Sequence, residues 1–231
     1  MSVKAVWEKV KNHYLKAYYI KKRLPAVYEK YCHLPVEEKV IILQQRSGLN
    51  SSCKYMYEKL VEDGRYQVVV HELGLHKKNV TMEQYFKNAE AFVKDFATCR
   101  AVITHEQCEL IGYITIRPEK GFIHLWHGLP IKKVRLSLAD SKGYKSMKNF
   151  REYPESNCTL VTLCADLWRP VYEELMGLEK DTPLLQTLGS PRTDVFFQQE
   201  YIDNCYETLR RKIPGGGRKE DCSVCADLSG Y

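Results

Sequence analysis

Two short stretches carry residue types that could do chemistry. Residues 123–133 read Ile-His-Leu-Trp-His-Gly-Leu-Pro-Ile-Lys-Lys. The apolar start predicts a buried strand, which Gly128 and Pro130 break before two adjacent cations, Lys132 and Lys133. In open α/β sheets, ligands bind just beyond the C-terminal ends of the strands. A strand tip bearing Trp126 and His127 would put an imidazole where a general base acts, with lysines close enough to meet an anion. Residues 188–194 read Leu-Gly-Ser-Pro-Arg-Thr-Asp. Gly189 permits a tight turn after a strand, and Pro191 suits a helix start because its missing N–H would be unpaired there. Arg192 is then expected near a helix N-terminus, where the dipole favours an anion and a guanidinium adds bidentate phosphate recognition.

Each feature has a plainer explanation. A histidine after a strand can be a hydrogen-bonded structural residue, and lysines after a turn commonly face solvent. Trp126 alone would be core, and Arg192 could simply pair with Asp194 at a capped helix start. The combination in one short segment, with a second segment that agrees with it, favours a site.

The elements that would position these residues follow from periodicity. Short apolar runs predict strands at residues 40–43, 66–70, 101–104, 122–126, 159–163 and 184–188, with an ambiguous stretch at 113–116. Helices are expected through residues 59–60 and over 82–96, 167–176 and 195–212. Strands alternating with helices imply βαβ units, so the expected fold is α/β, a Rossmann-like parallel sheet flanked by helices. In such a sheet all strand C-termini open on one edge. Gly48, His71, Thr104 with His105, His127 and Gly189 would share it.

Composition narrows the classes. At 231 residues, 44% hydrophobic and 28% charged, the chain can bury a real core as one large domain or two small ones. No apolar run approaches the ~18–20 residues of a membrane span, and the N-terminus lacks the apolar core of a signal peptide. Nine scattered cysteines without an export signal read as reduced thiols. Cys222 and Cys225 form a Cys-x-x-Cys, but no histidine or second pair completes a zinc site, and no metal is expected. Residues 1–40 hold nine Lys or Arg against four Glu, which is most of the chain's net +6. The near-neutral remainder argues against a nucleic-acid surface.

Residues 2–23 form an amphipathic helical extension, with Val3, Trp7, Val10, Tyr14 and Tyr18 on one face and lysines between. Two readings stay open: packing on a neighbouring domain, or lying on an anionic membrane surface, where each cation contributes ~1 kcal/mol.

Together the Trp-His-Gly-x-Pro-x-Lys-Lys block at 126–133 and the Leu-Gly-x-Pro-Arg-x-Asp block at 188–194 resemble the CDP-glycerol glycerophosphotransferases, the polymerases and primases of teichoic acid synthesis. The resemblance covers roughly residues 36–212, although the opening loop Gln44-Gln45-Arg46-Ser47-Gly48 departs from the family's small-polar pattern. It implies the N-terminal, acceptor-side lobe of a GT-B-type enzyme, working peripherally on the cytoplasmic face of a bacterial membrane. The reaction implied moves glycerol phosphate from CDP-glycerol to a hydroxyl of a lipid-linked polyol-phosphate acceptor, releasing CMP, with no covalently bound cofactor. His127 is then the implied base. Lys132, Lys133, Gly189, Arg192 and Asp194 are implied phosphate or substrate contacts, supported by Trp126, Gly128, Pro130 and Pro191.

On this resemblance residues 1–36 are a basic helical segment, 37–212 the lobe and 213–231 an irregular tail, the nucleotide-binding second lobe being absent. One permitted coding of residues 221–230, read one base later, gives Ile-Val-Leu-Tyr-Ala-Pro-Thr-Phe-Arg, which looks like the strand opening the family's second lobe. An out-of-frame tail and a truncated, inactive chain are therefore expected. The competing function is a non-catalytic membrane-surface or polyanion-binding module. A self-contained nucleotide-binding protein is disfavoured, since no Gly-x-Gly-x-x-Gly or Walker loop follows the first strand.

Overall fold

The computed structural model describes residues 3–44, 48–74, 80–106, 108, 110–126, 128 and 158–212. The apolar runs form six strands: β1 (Lys39–Gln44), β2 (Gln67–Glu72), β3 (Ala101–Thr104), β4 (Gly121–His124), β5 (Leu160–Leu163) and β6 (Leu185–Thr187). They make one sheet in the order β2-β1-β3-β4-β5-β6, and every pairing is parallel. The α/β, Rossmann-like sheet expected from the sequence is thus the observed fold.

Strand β1 is buried along its whole length, as a strand covered on both faces must be. Ile41 and Leu43 join one core with Phe92, Phe96 and Tyr172, whereas Val40 and Ile42 join a second with Cys53 and Ile103. The helices α3 (Ser51–Asp63) and α4 (Met82–Thr98) are the covers. Thr81 caps α4 by accepting the Gln84 N–H at 3.1 Å, and Gly64, at φ +69°, closes α3 in the left-handed region.

The N-terminal helical segment runs as α1 (Val3–Tyr18), a π turn (Tyr19–Arg23) and α2 (Leu24–Tyr31). The π turn precedes Pro25, which lacks an N–H and whose ring would clash with the carbonyl four residues back, so the helix widens there. From the π turn onward the segment belongs to the lobe's core. Ile20, Leu24 and Tyr28 are buried, Tyr19 stacks on Phe86, and its hydroxyl donates to Glu90 Oε1 at 3.0 Å. In α1, by contrast, Trp7, Tyr14 and Tyr18 are exposed.

Two sequence expectations change in detail. The ambiguous stretch near 113 is a single 3-10 turn, Ile111–Tyr113, not a strand. The closing helix begins as a 3-10 helix, Pro191–Phe197, with α6 (Gln199–Lys212) following. The chain divides into two compact units, residues 1–190 and 191–231, so Arg192 and Asp194 belong to the second.

Candidate functional site

Because every strand is parallel, their C-terminal ends form one edge, and the order β2-β1-β3 puts the topological switch between β1 and β3. The crevice there is lined by α3, which follows β1, and by the turn after β3. Cys53 in the first turn of α3 meets His105, just past β3, with Sγ to Nδ1 at 3.0 Å. Burial pushes the Cys53 thiol up to about 12, so it stays protonated in this pair. Beside this pair Ser52 and Ser190, both buried, share a hydroxyl–hydroxyl hydrogen bond of 3.2 Å that ties the start of α3 to the turn after β6. Gly189, at φ +80°, makes that turn, and its N–H donates to the Leu163 carbonyl at 3.0 Å. Gly48, which opens the approach to α3, lies so close to Glu72 that a Cβ would come within 3.1 Å of Oε1.

At the end of β4 the ladder continues one step, with Leu125 N–H on the Thr104 carbonyl at 2.8 Å. Trp126 then turns into the left-handed region at φ +54°, a rare conformation for a bulky residue. His124 Nδ1 accepts the Trp126 N–H at 3.0 Å. Tyr172, on α5 (Arg169–Met176), donates to the Gly128 carbonyl at 3.3 Å.

Among the residues expected on this edge, Gly48, Thr104, His105 and Gly189 lie at or just beyond strand ends. His71 is turned instead toward α4, where its Nε2 lies 2.8 Å from Asp95 Oδ2. Burial alone would raise the Asp95 carboxyl, but bonds from Lys39 and His71 outweigh it and hold it below its usual value. His127, Pro130, Lys132 and Lys133 lie outside the described residues, as do residues 213–231. Pro191, Arg192 and Asp194 sit in the 3-10 helix, with Arg192 half-buried and Asp194 exposed. Sequence reasoning missed Cys53, Ser52, His124 and Tyr172, whose partners are far away in the chain or two residues on in an unusual turn. Among the described residues no three His, Cys, Asp or Glu converge as a metal site.

The profile of the CDP-glycerol:poly(glycerophosphate) glycerophosphotransferase family matches residues 26–216, which takes in both motif blocks. The chain belongs to this family. It is 25% identical over 185 residues to a teichoic acid ribitol-phosphate primase of Bacillus spizizenii, covering 78% of this chain and 47% of the relative. It is 23% identical over 175 residues to the teichoic acid ribitol-phosphate polymerase TarK of Staphylococcus aureus, covering 73% of this chain and 32% of that protein. The chain thus spans under half the length of either relative. The wall teichoic acid polymerase TagF, solved as a histidine-to-asparagine variant soaked with CDPG, superimposes with a TM-score of 0.63 at 14% identity, over 94% of this chain and 55% of TagF. That likeness shows the shared fold.

Proposed function

We propose that this chain is the acceptor-side lobe of a teichoic-acid polyol-phosphate transferase. A CDP-linked polyol is the donor, glycerol or ribitol, and a lipid-linked polyol-phosphate hydroxyl is the acceptor. The observation that carries the reading is the family match over residues 26–216, which spans both blocks, 126–133 and 188–194. In-line displacement at phosphorus needs a base for the acceptor hydroxyl and cations for the phosphoryl oxygens. His127 is the base. Lys132, Lys133 and Arg192 hold phosphate, and Gly189 leaves room at the turn.

The test measures CMP released by the complete gene product from CDP-glycerol and from CDP-ribitol with a lipid-linked acceptor. His127→Ala is expected to lower turnover ~10²–10⁴-fold, the range for a general base. CMP release at the wild-type rate in that variant removes His127 from the mechanism, and no release with either donor removes the transferase reading.

A peripheral place on the cytoplasmic membrane face is supported by α1. Trp7, Tyr14, Leu15 and Tyr18 are exposed around an open hollow of ≈ 430 Å³ that also includes Lys11. No helix among the described residues is long and apolar enough to cross a membrane. Flotation with anionic vesicles tests the docking. Removing residues 1–18 should abolish it, and retained binding would move the contact to the lobe. A cut at residue 36 would be uninformative, because it takes Ile20, Leu24 and Tyr28 out of the core.

A further inference from the structure

From Val3 to Tyr31 the chain follows one unbroken helical path. Tyr18, at φ −60° and ψ −46°, and Leu24, at φ −69° and ψ −41°, keep the right-handed helical conformation on either side of the π turn. The path nevertheless changes character at that turn. Beyond it Leu24 and Tyr28 are buried, Tyr28 against Phe96 with ring centroids 5.5 Å apart. Before it every residue from Lys11 to Leu15 is exposed. There α1, 16 residues and about 24 Å long, stands clear of the lobe. Trp7, Lys11, Tyr14 and Tyr18 recur every three or four residues and form one exposed stripe along it.

The π turn is fastened to two separate elements. Tyr19 and Arg23 on the turn face Phe86 and Glu90 on α4. The Tyr19 ring stacks on Phe86, with centroids 3.8 Å apart and planes 8° apart. The Tyr19 hydroxyl and Arg23 Nε both donate to Glu90 Oε1, at 3.0 and 3.3 Å. Between them Ile20 is buried, and Lys21 Nζ stands 5.3 Å from the centre of the Tyr113 ring on the 3-10 turn. An exposed ion pair alone contributes little. Here one carboxylate oxygen takes two donors beside a stacked ring pair, which joins charge, hydrogen bond and packing. A π turn is also where a helix kinks, so fastening it there decides the direction of everything before it.

A loose joint would make α1 a tether, whereas a fastened one makes it a strut: the angle of the docked helix becomes the angle of the lobe. The helix carries Lys4, Lys9, Lys11 and Lys16 against Glu8 alone, so an anionic surface is the one it fits. We infer that Tyr19, Arg23 and Glu90 are positioning residues that hold α1 at a fixed angle to the sheet, so that docking on an anionic bilayer orients the lobe toward a lipid-linked acceptor. The inference rests on the membrane reading of α1, and docking and orientation are measured separately.

The experiment binds the complete gene product to a supported bilayer of phosphatidylcholine and phosphatidylglycerol and reads the polarised infrared dichroism of its amide I band. Wild type should be dichroic, because the helices of a parallel βαβ sheet share a direction and the lobe is held at one angle. Glu90→Ala removes the shared acceptor and leaves the stripe and lysines of α1 intact. Its flotation with vesicles of the same lipids should match wild type while the dichroism is lost. Turnover on an acceptor embedded in those vesicles should fall ~10-fold, with turnover on a water-soluble polyol-phosphate acceptor unchanged. Glu90→Gln, which keeps an acceptor oxygen, should restore both readouts. If Glu90→Ala floats and keeps the wild-type dichroism, the backbone alone sets the angle and the inference is overturned. It is equally overturned if Glu90→Ala melts earlier and loses turnover on both acceptors alike, since Glu90 is then ordinary packing. If wild type does not float, the membrane reading itself fails and the orienting role goes with it, whereas in the two preceding outcomes docking stands and only the positioning role falls.

Discussion

At the strand N-terminal edge of the sheet Lys and Arg side chains bond carbonyls at helix ends and a carboxylate, and at the C-terminal edge the described buried pairs are thiol, imidazole and hydroxyl groups. Lys120, just before β4 and 2% exposed, donates to the Phe96 and Ala97 carbonyls in the last turn of α4, the latter at 2.6 Å. Arg117 donates to the Cys32 and Leu34 carbonyls just past α2, at 2.6 and 2.7 Å. Lys39, at the start of β1, meets Asp95 at 2.9 Å. At the other edge stand the Cys53–His105 thiol–imidazole pair and the Ser52–Ser190 hydroxyl pair. The cause lies in the βαβ path. Helices that follow a parallel strand start at its C-terminal edge and end at the N-terminal edge of the next. Helix C-termini, with their unpaired carbonyls, therefore gather at one edge and take up cations. Helix N-termini gather at the other, which is left without buried cations of its own among the described residues and is suited to an incoming anion.

Breaking the cationic edge should cost the most stability. Lys120→Ala leaves the Phe96 and Ala97 carbonyls unpaired beside a cavity, and ~2–4 kcal/mol is expected in urea unfolding. A loss within ~0.5 kcal/mol, the range of ordinary surface substitutions, would show that water replaces the ammonium there.

The pH dependence sharpens the contrast. Burial pushes the Lys120 ammonium down from 10.5 to about 8. Between those values the unfolded chain binds the proton more strongly than the fold does, so this group makes stability rise with pH. Burial holds the Cys53 and Cys99 thiols up at about 12 against an ordinary 9.0, and these make stability fall as pH passes 9. Comparing Lys120 with Lys120→Met, both in a Cys99→Ala background, cancels Cys53 and removes Cys99, whose thiol interacts with Lys120. The difference should move in favour of Lys120 by ~1 kcal/mol from pH 8 to 9, and parallel curves would mean that Lys120 does not titrate there.

At the neutral edge a smaller effect is expected. Cys53→Ala removes the hydrogen-bond partner of His105 Nδ1 and should cost ~1–2 kcal/mol, with Cys53→Ser recovering part of it. Equal stability of all three would show that the thiol hydrogen bond contributes nothing.

Much of the fold was legible in the sequence. Val-Ile-Ile-Leu at 40–43 is an apolar run that only a strand covered on both faces explains, and the later runs sit within one or two residues of their strands. The helix near 195 was harder, because Pro191 and the Thr-Asp pair start a 3-10 helix before the α-helix takes over. The site was legible only as motif blocks. His71 looked like an edge residue but is bonded to Asp95, 24 positions along the chain. His105 and Cys53 lie 52 positions apart, and no local period links them.

What the sequence by itself determined is the order of strands and helices, the Trp-His-Gly and Gly-Ser-Pro-Arg blocks and the family they mark, since local apolar period and turn residues are written in consecutive positions. The tertiary structure alone decided which polar groups are locked and which edge they lie on. Lys120 became the cap of α4, Ile20, Leu24 and Tyr28 became core rather than extension, and Tyr172 came to meet Trp126 and Gly128. Those roles depend on hydrogen bonds and burial between segments far apart in the chain, and these exist only once the parallel strands have brought their ends together.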